Sequence, residues 1–319
     1  MIAVTGASGF VGRNLLRALM DRGMPVRAVV HSPRGEAWAR SLGVEGVQAD
    51  VRDEASLEKA FQGCLVVIHL VAIIRERGPA TFEAINHLGT SNVVSAARRC
   101  GVRRLVHLSA LGASPATPSR YLASKWRGEE AVRRGEVPYT IFRPSFIFGP
   151  GGGALAQLVM LARYGPFSPF VARVGESPLL ERLADTFPLL PVLGDGTYRS
   201  MPIDLRDVVA CVIQAVERED VLASEYDLGG PEAVTYNSLI DRILQVLGKH
   251  RYKVHIPLPL SWSLVRAGER ILPNPPITSS EFEALLLDNV CDPLPAYQTF
   301  GLVPRPLEET LRWALGSHG

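Results

Sequence analysis

The chain has 319 residues, 47% apolar and 21% charged, with 34 basic against 32 acidic residues and a formal charge of +2. That composition excludes wholesale disorder, and the absence of a long basic block leaves nucleic acid binding without support. Four scattered cysteines, Cys64, Cys100, Cys211 and Cys291, form no C-x-x-C pair, so neither a metal site nor a disulfide framework is expected.

The first strand pattern begins at Ile2 with no charged leader before it. The longest strongly apolar run, residues 64–74, falls far short of the roughly twenty residues of a membrane helix. A cytoplasmic protein is the expectation. Length favours one large domain with a smaller lobe.

Residues 2–5 form a β-branched run that predicts a strand, and Gly6, Ser8, Gly9, Phe10, Val11 and Gly12 follow as a tight turn opening a helix. Further strands are predicted at 26–30, 46–49, 65–70, 104–109 and 139–143, separated by segments with helical apolar spacing. Their near-continuous apolar character suits strands covered on both faces. The fold class is therefore α/β, a Rossmann-type doubly wound parallel sheet with a smaller C-terminal substrate lobe. The dinucleotide-binding domain is placed at residues 1–150 with a returning segment near 195–228, and the substrate lobe at 151–319.

Between residues 79 and 100, Phe82, Ile85, Leu88, Val93 and Ala97 recur at helical spacing and Gly101 stops the helix. Arg98, Arg99, Arg103 and Arg104 flank the next strand and read as solvated helix ends. The pattern loosens over 144–200. There, residues 164–193 carry Phe167, Phe170, Leu179, Leu183, Phe187 and Leu189 among five prolines. So apolar an irregular segment packs on its own lobe, or serves as a lid or as a protein or membrane contact. Helices close the chain near 238–247 and 307–315.

The glycine turn has the context a phosphate cradle needs. Gly6 permits the turn, Gly9 lets a diphosphate approach the backbone, and Gly12 lets the helix pack closely. The helix amino end supplies N–H donors. At the end of the second strand, where an NAD-preferring fold carries a carboxylate, the sequence reads His31, Ser32, Pro33, Arg34. Those groups suit a 2′-phosphate, so NADP(H) is favoured over NAD(H); an Arg34 simply facing water is the alternative. Asp50 and Val51 end the third strand, with Asp50 placed to accept from an adenine amino group or to cap the helix starting near Glu54. Leu70, Val71 and Ala72 end the fourth, either lining the adenosine side or packing in the core.

Tyr121 and Lys125 stand four apart and share a helix face. A nearby cation lowers a phenol's pKa and readies it as a general acid or base.

The glycine turn, Tyr121 with Lys125, the run from Arg143 through Pro144, Ser145, Phe146 and Ile147 to Pro150, and residues 202–208 together resemble an extended or atypical short-chain dehydrogenase/reductase of the NAD-dependent epimerase/dehydratase kind. Residues 108–113 and 307–311 are similar to the branch containing the nucleotide-binding accessory subunit of respiratory complex I. The resemblance implies that Phe10 and Val11 give backbone N–H groups to the diphosphate, that Lys125 also holds the nicotinamide ribose, and that Tyr121 exchanges the proton. It also implies that Pro144, Ser145, Phe146 and Ile147 line the nicotinamide and that Ser109 ends the fifth strand near the reaction centre. One departure is Leu111, near the position where catalytic relatives carry a Ser or Thr for the substrate oxygen; Ser109 or Ser114 are the substitutes. Three functions follow: an oxidoreductase for an apolar carbonyl or alcohol, a non-catalytic cofactor-binding or redox-sensing accessory protein, and a nucleotide-sugar epimerase or dehydratase. The oxidoreductase is the leading reading, with peripheral membrane or protein-complex association as a further expectation. Arg199 sits where sugar-nucleotide enzymes bind a diphosphate, but without comparable companions.

Overall fold

A computed structural model of the chain describes residues 1–169, 171, 175, 178–272 and 275–316; Phe170 lies outside them. The chain divides into two compact units, the first comprising Met1–Pro144, Leu205–Leu228 and Cys291–Val303.

Its centre is a sheet of seven parallel strands. In chain order they are β1 (Ile2–Thr5), β2 (Val26–Val30), β3 (Glu45–Gln48), β4 (Val66–His69), β5 (Arg104–Leu108), β6 (Tyr139–Pro144) and a last strand, Ser224–Leu228. The spatial order is Ser224–Leu228, β6, β5, β4, β1, β2, β3. Strand order thus reverses at β1, and in such sheets ligands sit beyond the carboxyl ends of the strands at the reversal. The helices are α1 (Phe10–Met20), α2 (Pro33–Ser41), α3 (Glu54–Phe61), α4 (Gly89–Arg99) and α5 (Arg120–Arg134), with Leu205–Glu217 and Leu294–Phe300 returning from later in the chain. One core joins Ala3, Val67, Leu105 and Ile141 of the strands to Leu57, Val93, Ala97 and Val132 of the helices. Burial of each large apolar side chain there contributes roughly 1.5–3 kcal/mol.

Three local expectations change. The helix expected from residue 79 begins with a π-helical turn, Glu83–Leu88, before α4. Asp50 lies two residues past β3, and Leu70, Val71 and Ala72 lie in the loop after β4, so none of them ends its strand. Arg104 is buried, and its guanidinium donates to the carbonyls of Ala215 and Val216 at the end of Leu205–Glu217. A cation there satisfies orphan carbonyls and the negative helix terminus, which a solvated arginine would leave to water.

The second unit comprises Ser145–Asp204, Gly229–Val290 and Pro304–Gly319. It holds three small two-stranded sheets: Ile147–Phe148 with Ile203–Asp204, Arg199–Ser200 with Val234–Thr235, and Leu189–Leu193 with Tyr252–Ile256. Helices Gly153–Tyr164, Tyr236–Leu247 and Leu307–Gly316 contribute to a core around Phe148, Leu155, Leu190, Ile240 and Leu311. The proline-rich stretch 164–193 is more regular than its sequence suggests, with helix Pro178–Thr186 and strand Leu189–Leu193 inside it. Leu190 and Val192 are fully buried while Leu179, Phe187 and Leu189 are exposed. Among the described residues no helix is long and apolar enough to cross a membrane, and no cluster could hold a metal ion.

Candidate functional site

The turn between β1 and α1 is built by backbone approach. Gly6 has φ +71°, and Gly9 N–H donates to its carbonyl at 2.9 Å. A Cβ on Gly12 would lie 2.2 Å from the Gly6 oxygen and 2.8 Å from Ala7 Cα, so Gly12 lets α1 press on the turn itself. A Cβ on Gly6 would lie 3.3 Å from backbone atoms of Leu70 and Val71, which sets the loop after β4 against the turn. Gly9 is exposed and caps α1 without a side-chain hydrogen bond, and the first turn of α1 carries no acid. The N–H groups at Phe10 and Val11 therefore open a helix whose positive end is unneutralised, which fits a diphosphate.

The adenosine side is assembled differently from expectation. Ser32 spends its hydroxyl as the cap of α2, accepting from Gly35 N–H. His31 and Arg34 are exposed. Asp50 does not cap α3; Asp53 does, accepting from Ala55 and Ser56. Asp50 instead holds the Arg52 guanidinium through both carboxylate oxygens, which keeps it below the usual carboxylate range. Val51 is buried in the core, its methyl group filling the space a Gly89 side chain would need.

Tyr121 and Lys125 both lie in α5, which Ser119 caps. Lys125 is 1% exposed, and its ammonium donates to the Leu108 carbonyl at the end of β5, 2.9 Å away. Burial lowers its pKa to about 8, opposed by the charge of Glu129 one turn on. Tyr121 is half-buried beside Phe82, and its hydroxyl has no hydrogen bond among the described residues. Burial pushes the phenol up to about 12, opposite to the lowering expected from a neighbouring cation. The lysine's charge goes to a carbonyl, and desolvation decides the phenol. Ser109 follows β5, buried, with an Oγ that has no partner among the described residues. Ser114 is committed to a turn, accepting from Ala116 N–H, and Leu111 is buried with its N–H on the Pro144 carbonyl.

Beneath this helix lies a polar layer that sequence reading missed. Thr5, His69 and His107 are aligned across β1, β4 and β5 by strand register. The two imidazoles stack with centroids 5.2 Å apart, and both are fully buried. Thr90 donates to the Asn86 carbonyl at 2.8 Å, so it accepts from His69 Nε2–H at 3.1 Å, which leaves His69 Nδ1 to accept from Thr5 at 2.8 Å. Asn86 continues to Ile73 and to Ser124, which is hydrogen bonded to the Tyr121 carbonyl. Burial and the Lys125 charge hold His69 down at about 3 and His107 well below its ordinary value. Both rings are neutral at physiological pH. Only periodicity in each strand was available from sequence; register between strands was not.

The far half of α5 is clamped to the sheet. Glu129, fully buried, accepts from Arg133 at 2.6 Å and from Arg143 of β6 at 2.9 and 2.6 Å, and Glu225 accepts from the same two arginines. Each charge is paired with more than one opposite charge, which a buried ion lattice requires. At the end of β6, Pro144 is buried; Ser145 donates to Asn289, Phe146 packs on the second unit's core, and Ile147 begins a short strand. Arg199, considered for a sugar diphosphate, is held by Asp288 at 2.6 and 3.0 Å.

A family model described as the NAD dependent epimerase/dehydratase family matches residues 2–229. The chain is 29% identical to the mitochondrial NADH dehydrogenase (ubiquinone) 1 alpha subcomplex subunit 9 of Arabidopsis thaliana, over 96% of this chain and 74% of that one. It is 38% identical to sterol demethylase protein B of Methylococcus capsulatus, over 80% of this chain and 76% of the relative. The fold resembles that of an NADPH-dependent quinone oxidoreductase of Escherichia coli solved with NADPH, with a TM-score of 0.72, 19% identity and 98% of each chain covered. The chain is an NAD(P)-binding short-chain dehydrogenase/reductase of the extended type and belongs to the NAD dependent epimerase/dehydratase family.

Proposed function

We propose that this chain is an NADP(H)-dependent reductase of an apolar carbonyl compound. The observation that carries the reading is a protonated phenol at Tyr121 four residues before a buried lysine, Lys125, which holds the Leu108 carbonyl next in sequence to Ser109, whose hydroxyl has no partner among the described residues. When bound, NADPH would supply the hydride for the carbonyl carbon and be oxidised to NADP+. Tyr121 delivers its hydroxyl proton to the carbonyl oxygen, so a C–H and an O–H bond form as the C=O double bond becomes single. A phenol held near 12 is fully protonated at neutral pH and suits that direction. Lys125 stabilises the phenolate that remains, and solvent returns the proton. Ser109 orients the substrate oxygen in place of the hydroxyl that Leu111 does not provide. Gly9, Phe10 and Val11 hold the diphosphate, and Arg34 with His31 favours the 2′-phosphate because no carboxylate stands at the end of β2. Two features support an apolar substrate: the occupied Arg199 argues against a sugar diphosphate, and one similar chain is named for a sterol.

The test is NADPH oxidation by purified protein against lipophilic ketones, aldehydes and quinones, with mass spectrometry of the nucleotide it retains. Tyr121→Phe should keep cofactor affinity and lose at least about a hundredfold in turnover; unchanged turnover removes Tyr121 from the mechanism. A second reading, a cofactor-holding accessory subunit of a larger complex, is favoured by the likeness to the complex I subunit over almost the whole chain and by the buried Leu111. Tightly retained nucleotide without turnover on any carbonyl would select it.

A further inference from the structure

Arg13 stands in the first turn of α1, directly after Gly12, and its guanidinium lies over the indole of Trp38 on α2, 5.5 Å from the ring centroid. Arg34 sits one helical turn before Trp38 and shares its face of α2. Arg13 and Arg34 are both exposed, and neither has an acidic partner among the described residues. Other arginines of this unit do: Arg40 with Glu36, Arg52 with Asp50, Arg99 with Glu58, Arg133 and Arg143 with Glu129. The only acid within α2, Glu36, is already paired with Arg40. Two unpaired cations therefore flank the mouth of the glycine turn, on the side where β2 ends without a carboxylate.

We infer that Arg13, seated over Trp38, is the second arm, with Arg34, of a clamp for the 2′-phosphate of the cofactor's adenosine ribose. The inference rests on the NADP(H) reading above and adds Arg13 and Trp38 to it. A cation–π contact uses no N–H donor of the guanidinium, which keeps its fork for two phosphate oxygens at once. The indole contributes no charge. It fixes the arginine, so little side-chain freedom is lost when the phosphate arrives.

The experiment is calorimetric titration of the full chain with NADP+ and with NAD+, for the wild type, Arg13→Gln, Arg34→Gln, Trp38→Leu and the double variant of Arg13 and Trp38. Arg13→Gln should weaken NADP+ roughly ten- to a hundredfold, the loss of one charge-assisted contact, and leave NAD+ unchanged. Trp38→Leu should weaken NADP+ less, and the double variant no more than Arg13→Gln alone. In the wild type, NADP+ affinity should fall with added salt more steeply than NAD+ affinity, and Arg13→Gln should narrow that difference. This salt readout and Arg13→Lys, which keeps the charge without the planar fork, cover the case of a poorly folded variant. If Arg34→Gln abolishes the preference for NADP+ while Arg13→Gln and Trp38→Leu leave it intact, the clamp is wrong and the NADP(H) reading stands. If the wild type binds both nucleotides equally, both fall.

Discussion

Acidification should unfold this protein through its buried imidazoles. His69 is neutral inside the sheet layer with a pKa near 3, against 6.5 for a free histidine. Its folded pKa is depressed, so the unfolded chain binds more protons between those values, and stability falls as pH drops through that window. At about pH 4.5 the linkage amounts to about 3 kcal/mol from this ring alone. His107 acts in the same direction, stacked on it with no hydrogen-bond partner for either nitrogen among the described residues. The assay is urea unfolding at about pH 7 and about pH 4.5, for the wild type and for His69→Gln, which retains donor and acceptor atoms but cannot take up a proton. The loss of stability between the two conditions should be smaller in the variant by close to that amount, and carboxylate contributions cancel in the difference. Equal losses would mean that His69 is already solvated or charged in the folded protein, and the reasoning about the dry polar layer would be refuted.

The glycines of the first turn should separate folding from binding. Gly9→Ala meets only the Gly6 oxygen at 3.1 Å and should cost under about 1 kcal/mol of stability while weakening cofactor at least tenfold; Gly12→Ala meets backbone at 2.2 Å and should cost about 2 kcal/mol or more, read by thermal melting with and without NADPH. Glu129→Gln removes the one acid that favours charged Lys125, so the lysine should deprotonate at a pH below its present value of about 8. A Lys Cε titration followed by NMR measures this, and an unmoved midpoint would count against the coupling. Arg104→Met strips two carbonyls at a helix end of their charged donor and should lower stability by about 2–3 kcal/mol with cofactor affinity unchanged.

What the sequence disclosed follows from how local each signal is. β1, β2 and β4 to β6 are short runs in which apolar residues predominate on both faces, which marks them as buried; the glycine turn needs only its own seven positions. Ser224–Leu228 escaped as a distinct strand because Ser, Glu and Asp at a sheet edge carry no apolar alternation, and its partner β6 lies some eighty residues earlier. Helix Pro178–Thr186 was hidden by the prolines around it, which read as breakers. Asp50 and Asp53 are indistinguishable as caps until the start of α3 is fixed. Tyr121 and Lys125 were legible as a pair, but not the sign of the phenol's shift, which depends on how much water surrounds it. The stacked histidines are 38 residues apart, and apart from the Glu129–Arg133 pair one helical turn apart the lattice joins positions 14 to 92 residues apart, meetings that no local pattern encodes.

The first unit is stitched from three stretches of chain, the last ending at Val303. Its final piece, helix Leu294–Phe300, brings Phe300 against Phe142 and Tyr226 with centroids 5.4 and 4.9 Å apart. A ribosome emitting this polypeptide amino end first therefore cannot complete the nucleotide-binding body until residue 303 has been made, some hundred and sixty residues after Pro144. A stop codon before Phe300 that spares the glycine turn and Tyr121 would still yield a body with an open aromatic seam, so codons near residue 300 guard a site encoded some three hundred residues earlier.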